Sequence, residues 1–188
     1  MLRSAIAKEG AANMHEIFYD EGLEQDAQKF TKQKTIQTRP AMIKNGVTLY
    51  ATTQASNVVD LIDIACDKRW MNLKKRPLSE SECAKYEYRR GLADDVVQMI
   101  WGRASSIGCV TDQFLEKSRN VIYSRLFCKY NIAIQEEEEV FQNGIVCGNC
   151  GEARCNRTSG LCGRPYVLPR PPQATVLPPV ANWFNQQG

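Results

Sequence analysis

The chain has 188 residues, of which 43% are hydrophobic and 24% are charged, the proportions of a folded soluble domain and not of a disordered or fibrous chain. Its 24 Lys and Arg residues exceed its 21 Asp and Glu residues by three, a surplus too small and dispersed to indicate a nucleic-acid partner. No run approaches the roughly 18 apolar residues that a membrane span needs, so we expect a soluble chain.

The chain opens with two predicted helices. The segment Leu2–Lys8 contains good helix formers, and Gly10 ends it. This opening lacks the apolar core of a signal peptide, so we expect a truncated N-terminus, as in a chain that begins after processing. In the second segment, Asp20–Phe30, three apolar residues share one stripe at helical spacing: Leu23, Ala27 and Phe30.

A strand and a long helix are predicted next. Pro40, Asn45 and Gly46 interrupt the following stretch, and the apolar run Val47–Tyr50 then predicts a strand. Helical periodicity returns over Ser56–Leu73, with Ser56 as a plausible N-cap. The side of this helix that we expect to face inward carries Val58, Ile62, Ala65, Cys66, Trp70 and Leu73.

A basic run lies at the end of this helix. It could touch phosphate or a glycosaminoglycan, but charge runs usually face water. We therefore interpret it as a solvated helix end. Its members are Lys68, Arg69, Lys74, Lys75 and Arg76.

The third quarter of the chain predicts a connection, a helix and two strands. The polar segment Pro77–Tyr88 is typical of a surface connection. Asp94 and Asp95 precede apolar residues where a helix dipole favours negative charge, which predicts a short buried helix. Two β-rich runs, Ile107–Val110 and Asn120–Tyr130, flank the polar sequence TDQFLEKSR and predict an antiparallel pair.

Cysteine usage indicates an oxidising compartment. The chain has eight cysteines: Cys66, Cys83, Cys109, Cys128, Cys147, Cys150, Cys155 and Cys162. An even number with half of them crowded together suggests disulfides, and the glycosylation sequon at Asn156 agrees with secretion. The last four cysteines could instead bind a structural zinc, but their loose spacing favours a small knot held by two disulfides.

The chain ends in a segment that cannot build a core. The acidic run 136–139 precedes the cysteine cluster as a solvated exit, and a proline-rich, extended tail follows over 165–188. Trp183 and Phe184 in this tail could anchor to a partner, although a flexible end is the interpretation we favour.

Several segments resemble the cysteine-rich secretory, antigen-five and pathogenesis-related (CAP, or SCP/TAPS) superfamily. The sequence DVVQMIWGRASSIGCV, from Asp95 to Val110, is similar to the CAP signature. The residues that match are Gln98, Met99, Ile100, Trp101, Gly108 and Cys109.

Further matches follow in the family's order. NMHEIFYDEGLEQDAQKF, GVTLY and ACDKRWMNL resemble three other CAP segments, and CGNCGEARCNRTSGLC is similar to the cysteine-rich hinge of the nematode activation-associated secreted, or venom allergen-like, proteins. The resemblance implies an α+β fold: a three-layer α-β-α sandwich with a small antiparallel sheet, plus a disulfide-rich C-terminal hinge. We therefore divide the chain into a CAP domain (1–140), a hinge (141–164) and a tail (165–188).

The metal site of many CAP domains, two His and two Glu in a cleft, is predicted to be degenerate here. Val47 and Asn72 stand in place of the two Glu, and Asp95 in place of one His. Only Thr38 and Arg39 lie near the second His position. The strand motif is also eroded, because Lys129 and Asn131 flank Tyr130.

Enzymatic chemistry lacks its usual groups in this sequence. The single histidine, His15, has no second imidazole to join it, so we interpret it as a surface or capping residue. Nucleophilic triads need a base beside Ser or Cys, and the cysteines are expected to be oxidised. We expect no metal, no cofactor and no catalytic residue.

Two further disulfides are expected outside the cluster. Cys109 and Cys128 fall in the two predicted strands, so we pair them, and we pair Cys66 with Cys83. Four cysteines allow three pairings, so this connectivity is a hypothesis.

The resemblance implies a secreted interaction protein, a glycoprotein of the excretory-secretory type that engages host proteins or lipids as a monomer or weak homodimer. A carrier of sterol or another hydrophobic ligand is the alternative function. A metal-dependent hydrolase is a third possibility, which would need zinc in the cleft.

Overall fold

A computed structural model describes residues 2–32, 41–43, 46–75, 79, 84, 94–135 and 137–165. Four helices and seven strands lie in these ranges. The helices are α1 (Leu2–Lys8), α2 (Glu21–Thr31), α3 (Val58–Lys75) and α4 (Asp94–Ile100). The strands are β1 (Phe18–Tyr19), β2 (Ala41–Ile43), β3 (Val47–Thr52), β4 (Ser106–Glu116), β5 (Val121–Tyr130), β6 (Ala153–Asn156) and β7 (Leu161–Pro165).

One five-stranded sheet forms the middle layer. Its strand order is β1-β4-β5-β3-β2, with every pair antiparallel except the short parallel pair of β1 and β4. The register places Cys109 directly opposite Cys128, and Val47 opposite Lys129. Cysteines that face each other on neighbouring strands are close enough to be bridged.

Helices cover both faces of this sheet, as the predicted sandwich requires. On one face, α2 contributes Ala27 to a cluster with Val47, Leu49, Val110 and Phe127, which we call the α2 face. On the other face, α3 contributes Leu61 and Ala65 to a cluster whose sheet members are Tyr50, Leu126, Cys128 and Tyr130. A third cluster joins α1 to α4 and includes Ile6, Val97, Ile100 and Trp101. The α+β, α-β-α fold class is therefore confirmed.

The predicted inward face of α3 is confirmed at Ala65 and Leu73, which are buried, and wrong at three other positions. Val58 is 52% exposed, Ile62 is 41% exposed and Cys66 is also exposed, while the side chain of Trp70 lies outside the described residues. The buried residues recur every fourth position, and the two that the prediction missed are Leu61 and Arg69. Because apolar residues occur on both of these neighbouring stripes, periodicity alone could not choose between them.

The same pattern of burial corrects our view of the basic run. Arg69 is buried and lies over the ring of Tyr50, with 5.6 Å between its guanidinium carbon and the ring centroid. Lys68, Lys74 and Lys75 are exposed, as expected for a solvated helix end. Arg76 lies outside the described residues.

Two helix caps are visible in the described part of the chain. The Asp20 carboxylate accepts hydrogen bonds from the N–H groups of Gly22 and Leu23 and begins α2. Asn57, and not Ser56, is the N-cap of α3, because its Oδ1 accepts a 2.9 Å bond from the Asp60 N–H. Ser56 instead donates to the Asp60 carboxylate from both its N–H and its hydroxyl.

The strand β4 is longer than predicted. It runs on to Glu116 through most of TDQFLEKSR, and Leu115 pairs directly with Ile122 of β5. Exposure alternates along this part of β4: Thr111 and Gln113 are exposed to water, while the residues on either side of each are buried or half-buried. A half-exposed strand of this composition looks like a polar loop in the sequence, and the turn itself is only 117–120.

The hinge forms a second sheet, in which β6 and β7 are antiparallel. Disulfides join Cys147 to Cys155 and Cys150 to Cys162, so the four cysteines of the cluster form two bridges. The proposed division between domain, hinge and tail stays a prediction, and the tail beyond 165 lies outside the described residues. No helix among the described residues is long and apolar enough to cross a membrane.

Candidate functional site

The CAP signature glutamine fixes the segment that leaves the sheet. The Gln98 side chain is fully buried, and its Nε2 donates to the carbonyl of Ile132 at 3.0 Å. Its Oε1 accepts from the N–H of Ile134 at 2.8 Å. A fully buried side chain that bonds both an acceptor and a donor of the same strand exit fixes the backbone there, which is a structural role.

The signature tryptophan has a similar position. Trp101 is 2% exposed and its indole Nε1 donates to the carbonyl of Glu139 at 2.9 Å. The backbone N–H of Gly102 donates to the carbonyl of Val140 at 2.7 Å. The acidic run is therefore tied to the end of α4 through its backbone, while Glu137 and Glu139 have exposed side chains.

Gly108 lets α2 pack closely against the sheet, and the adjacent disulfide joins the two central strands. A Cβ atom at Gly108 would lie 2.0 Å from the backbone nitrogen of Glu24, so only glycine permits this approach. The next residue, Cys109, is bonded to Cys128, the pairing expected from the sequence. Tyr130, at the end of β5, is buried, and its N–H donates to the carbonyl of Gly46.

Val47 is the one predicted cleft position whose side chain the structure describes. Val47 is fully buried in the α2 face and offers only methyl groups. The side chains of Asn72 and Asp95, and all of Thr38 and Arg39, lie outside the described residues. Across the described ranges, no group of three or more His, Cys, Asp or Glu side chains is placed to hold a metal ion.

The expected bridge between Cys66 and Cys83 is not tested by the described residues. Cys66 is exposed on α3 and forms no disulfide with any described cysteine. Partial desolvation by neighbouring atoms raises the pKa of its thiol. Because Cys83 lies outside the described residues, the expected bridge remains a prediction.

A polar region that the sequence analysis missed lies where α1, residues 11–18 and β7 meet, and we call it the junction. Its centre is Arg3, which is 7% exposed. Its five N–H bonds are all directed at backbone carbonyls, those of His15, Met99, Trp101, Gly102 and Ala104, at 2.8–3.2 Å. Most of these carbonyls lie at or just beyond the C-terminal end of α4, where a helix dipole favours a cation.

Burial has an electrostatic consequence at Arg3. Desolvation lowers the pKa of its guanidinium to about 10, with a nearby Tyr130 acting in the opposite direction. The group therefore stays charged at neutral pH and serves as a clamp for backbone oxygens. The only sequence sign of this role was a basic residue on the face of α1 that also carries Ile6 and Ala7.

His15 lies in the junction and not on an open surface. Its side chain is half-buried. Its backbone N–H donates to the carbonyl of Gly102, and its backbone carbonyl accepts from the Arg3 side chain. Burial, followed by the charge of Arg3, lowers the pKa of its imidazole. No described residue forms a metal cluster with it.

The hinge closes the junction. The N–H of Cys162 donates to the carbonyl of Met14 at 2.8 Å, and the N–H of Glu16 donates back to the carbonyl of Cys162 at 2.8 Å. The Glu16 carboxylate accepts from the Asn156 side-chain amide at 2.7 Å and from the Ser159 hydroxyl at 3.4 Å. Asn156, the sequon residue, is exposed.

A cavity of about 370 Å³ opens beside the junction. Its wall is mainly apolar and comes from α1, β1, α4, β4, β5 and β7. The lining residues are Leu2, Arg3, Ser4, Glu16, Ile17, Phe18, Met99, Ile107, Tyr130 and Leu161. A concave, largely apolar space with a few polar groups is the usual form of a small-molecule site.

Neither a protein-family model nor a curated protein sequence matches this chain. Solved structures do. Hookworm platelet inhibitor superimposes with a TM-score of 0.68 at 18% sequence identity, over 88% of this chain and 86% of that one. NaASP2, solved with Zn²⁺, gives 0.61 at 21% identity, over 86% of this chain and 88% of that one.

BmVAL-1 gives a TM-score of 0.61 at 19% identity, over 87% of this chain and 88% of that one. Likeness at this level of identity establishes architecture, while activity depends on the individual site. The sheet and its helices agree with these neighbours, so this chain shares their fold, the fold that the resemblance to the CAP superfamily implied.

Proposed function

We propose that this chain is a secreted, non-enzymatic CAP-domain protein that acts by binding host molecules. The observation that supports the proposal is the burial of Val47 among other apolar side chains, because the resemblance aligns this residue with a carboxylate of the family's metal site. The signature residues Gln98 and Trp101 are buried and bonded to backbone groups, which supports a structural role for them. Three disulfides support an extracellular location.

Zinc retention tests the non-enzymatic part of this proposal. We expect the chain, purified without chelators and dialysed against micromolar zinc, to retain no stoichiometric metal when measured by elemental mass spectrometry. Retention of one zinc per chain would contradict the proposal. A chain that has been reduced and alkylated is the control for zinc bound by cysteines.

Capture from host serum and host cell surfaces tests the binding part. We expect at least one host protein to be captured by the tagged chain and displaced by excess untagged chain. The matched control is the same chain after reduction and alkylation, which should lose the capture because the bridges are broken. Capture that excess untagged chain fails to displace would contradict specific binding.

The cavity supports a second function, transport of a small hydrophobic ligand. Its wall carries six apolar side chains from six separate elements or loops: Leu2, Ile17, Phe18, Met99, Ile107 and Leu161. Extraction of the native chain with organic solvent should then release a stoichiometric lipid or amphiphile. A chain that carries none, and that takes up none when mixed with lipid, would rule out this second function.

A further inference from the structure

The polar groups of the cavity are unequally available to a ligand. Arg3 lines the wall, but its five N–H bonds are all taken up by carbonyls. The Ser4 hydroxyl donates to the carbonyl of Ser159 at 2.6 Å. Among the described residues of the wall, the one cation and the one serine are thus already committed, which leaves an anionic ligand without a donor from either of them.

Glu16 differs from them because half of its carboxylate is uncommitted. Both of its hydrogen bonds, from Asn156 and Ser159, end on Oε1. Among the described residues no group donates to Oε2. Glu16 is also the only carboxylate among the described residues of the cavity wall.

The two bonds to Oε1 also fix the orientation of the carboxylate. Asn156 itself is held, since its Oδ1 accepts from the N–H groups of Thr158 and Ser159 at 3.1 and 3.3 Å. A carboxylate that is oriented before binding loses little freedom when a ligand arrives. Glu16 is therefore a preorganised acceptor at the edge of an apolar wall.

These observations define the chemistry of the ligand. A ligand whose apolar part fills the cavity removes water from Glu16. A carboxylate that loses water without gaining a cationic partner raises the free energy of the complex. A protonated amine offsets that cost through a charge-assisted hydrogen bond, which a neutral hydroxyl does less well and a second carboxylate cannot do. We propose that the cavity binds a cationic amphiphile whose ammonium group pairs with Oε2 of Glu16.

This inference rests on the second proposed function, and three probes with the same eight-carbon chain separate the two. Calorimetry at neutral pH would compare octylamine, octanol and octanoate, each below its micelle concentration. We expect octylamine to bind at least about tenfold more tightly than octanol, and octanoate to bind most weakly. Methyl chemical shifts of Ile17 and Met99 should move with each probe that binds.

Glu16→Gln is the decisive variant because its amide oxygen still accepts from Asn156. It should bring octylamine within about twofold of octanol and leave octanol unchanged. Glu9→Gln, at an exposed position just past α1, is the matched control and should change nothing. Ile17→Ala should weaken all three probes, which reports on the apolar wall without touching the carboxylate.

Each remaining outcome would contradict the ammonium inference, the carrier function or both. Equal binding of octylamine and octanol, or an unchanged preference in Glu16→Gln, would overturn the ammonium inference and leave the carrier function standing. Preference for octanoate would overturn it as well and would indicate that a cation governs the site. If no probe binds, both the carrier function and this inference are wrong.

Discussion

The α2 face and the junction use buried residues in opposite ways. On the α2 face, Val47, Val110 and Phe127 pack as hydrocarbon, and the sheet meets its helix at a glycine. In the junction, Arg3 is equally buried but is surrounded by carbonyl oxygens. One region is held by close packing and the other by hydrogen bonds, so they should fail under different substitutions.

The α2 face should be most sensitive to added volume. Gly108→Ala places a Cβ atom against the backbone of α2, which cannot give way as a side chain could. We expect a loss of at least about 4 kcal/mol in the free energy of unfolding, measured by urea denaturation. Gly144→Ala is the control, because a Cβ there would lie 3.4 Å from Ala12 Cβ, and it should change stability by less than about 1 kcal/mol. Equal losses of stability in Gly108→Ala and Gly144→Ala would mean that the α2 face is not held by unusually close packing.

The stability of the junction should instead depend on how many hydrogen-bond donors residue 3 offers, even when its charge is kept. Arg3→Lys keeps a cation but offers three donors to a set of carbonyls that now receives five bonds. We expect a loss of about 3 kcal/mol in urea unfolding, since buried acceptors are left without partners. Lys8→Arg, at an exposed position on the same helix, should be neutral. A neutral result for Arg3→Lys would show that charge alone holds the junction.

The two hinge bridges should also differ. Replacing both Cys150 and Cys162 by Ser should cost about 3 kcal/mol, because Cys162 is buried and its backbone is bonded to residues 14 and 16. The matched pair Cys147→Ser and Cys155→Ser opens a shorter loop that ends at an exposed residue, so we expect a smaller loss. Thermal unfolding under non-reducing conditions measures both. A larger loss for the Cys147 and Cys155 pair would contradict the idea that the Cys150–Cys162 bridge stabilises the junction.

The smallest expected effect is a dependence on pH. The junction lowers the pKa of His15, chiefly by burial, so below its ordinary value of 6.5 the unfolded chain binds this proton more readily than the folded chain. Stability should therefore fall as pH drops below 6.5, and His15→Gln should reduce that fall. Urea unfolding at pH values of about 7.5 and 5.5 measures it; an identical pH dependence in the variant would contradict the assignment.

Much of the fold could be predicted because its signals are local or repeated. The periodicity of α2 and the paired cysteines of β4 and β5 depend on residues close together in the chain. The errors arose where two solutions satisfied the same pattern, as on α3, where the stripes of Leu61 and Ile62 are both apolar. The length of β4 was missed because alternating polar residues resemble a loop.

The candidate site was far less predictable. Arg3 bonds to carbonyls about 100 positions away, and carbonyls carry no side-chain signature that a sequence could show. Glu16 looked like one acidic residue among many until the hinge brought Asn156 beside it. The degenerate metal positions could be identified only through resemblance to a family, and they stay a prediction.

The backbone hydrogen bonds that join Cys162 to Met14 and Glu16 affect the order in which parts of this protein can fold during synthesis. Residues 14 and 16 are synthesised long before residue 162, so these pairings must wait until residue 162 has left the ribosome. Contacts of such long sequence separation are slow to form. A chain stopped before the hinge would therefore leave Glu16 without its donors Asn156 and Ser159, with its carboxylate open to solvent.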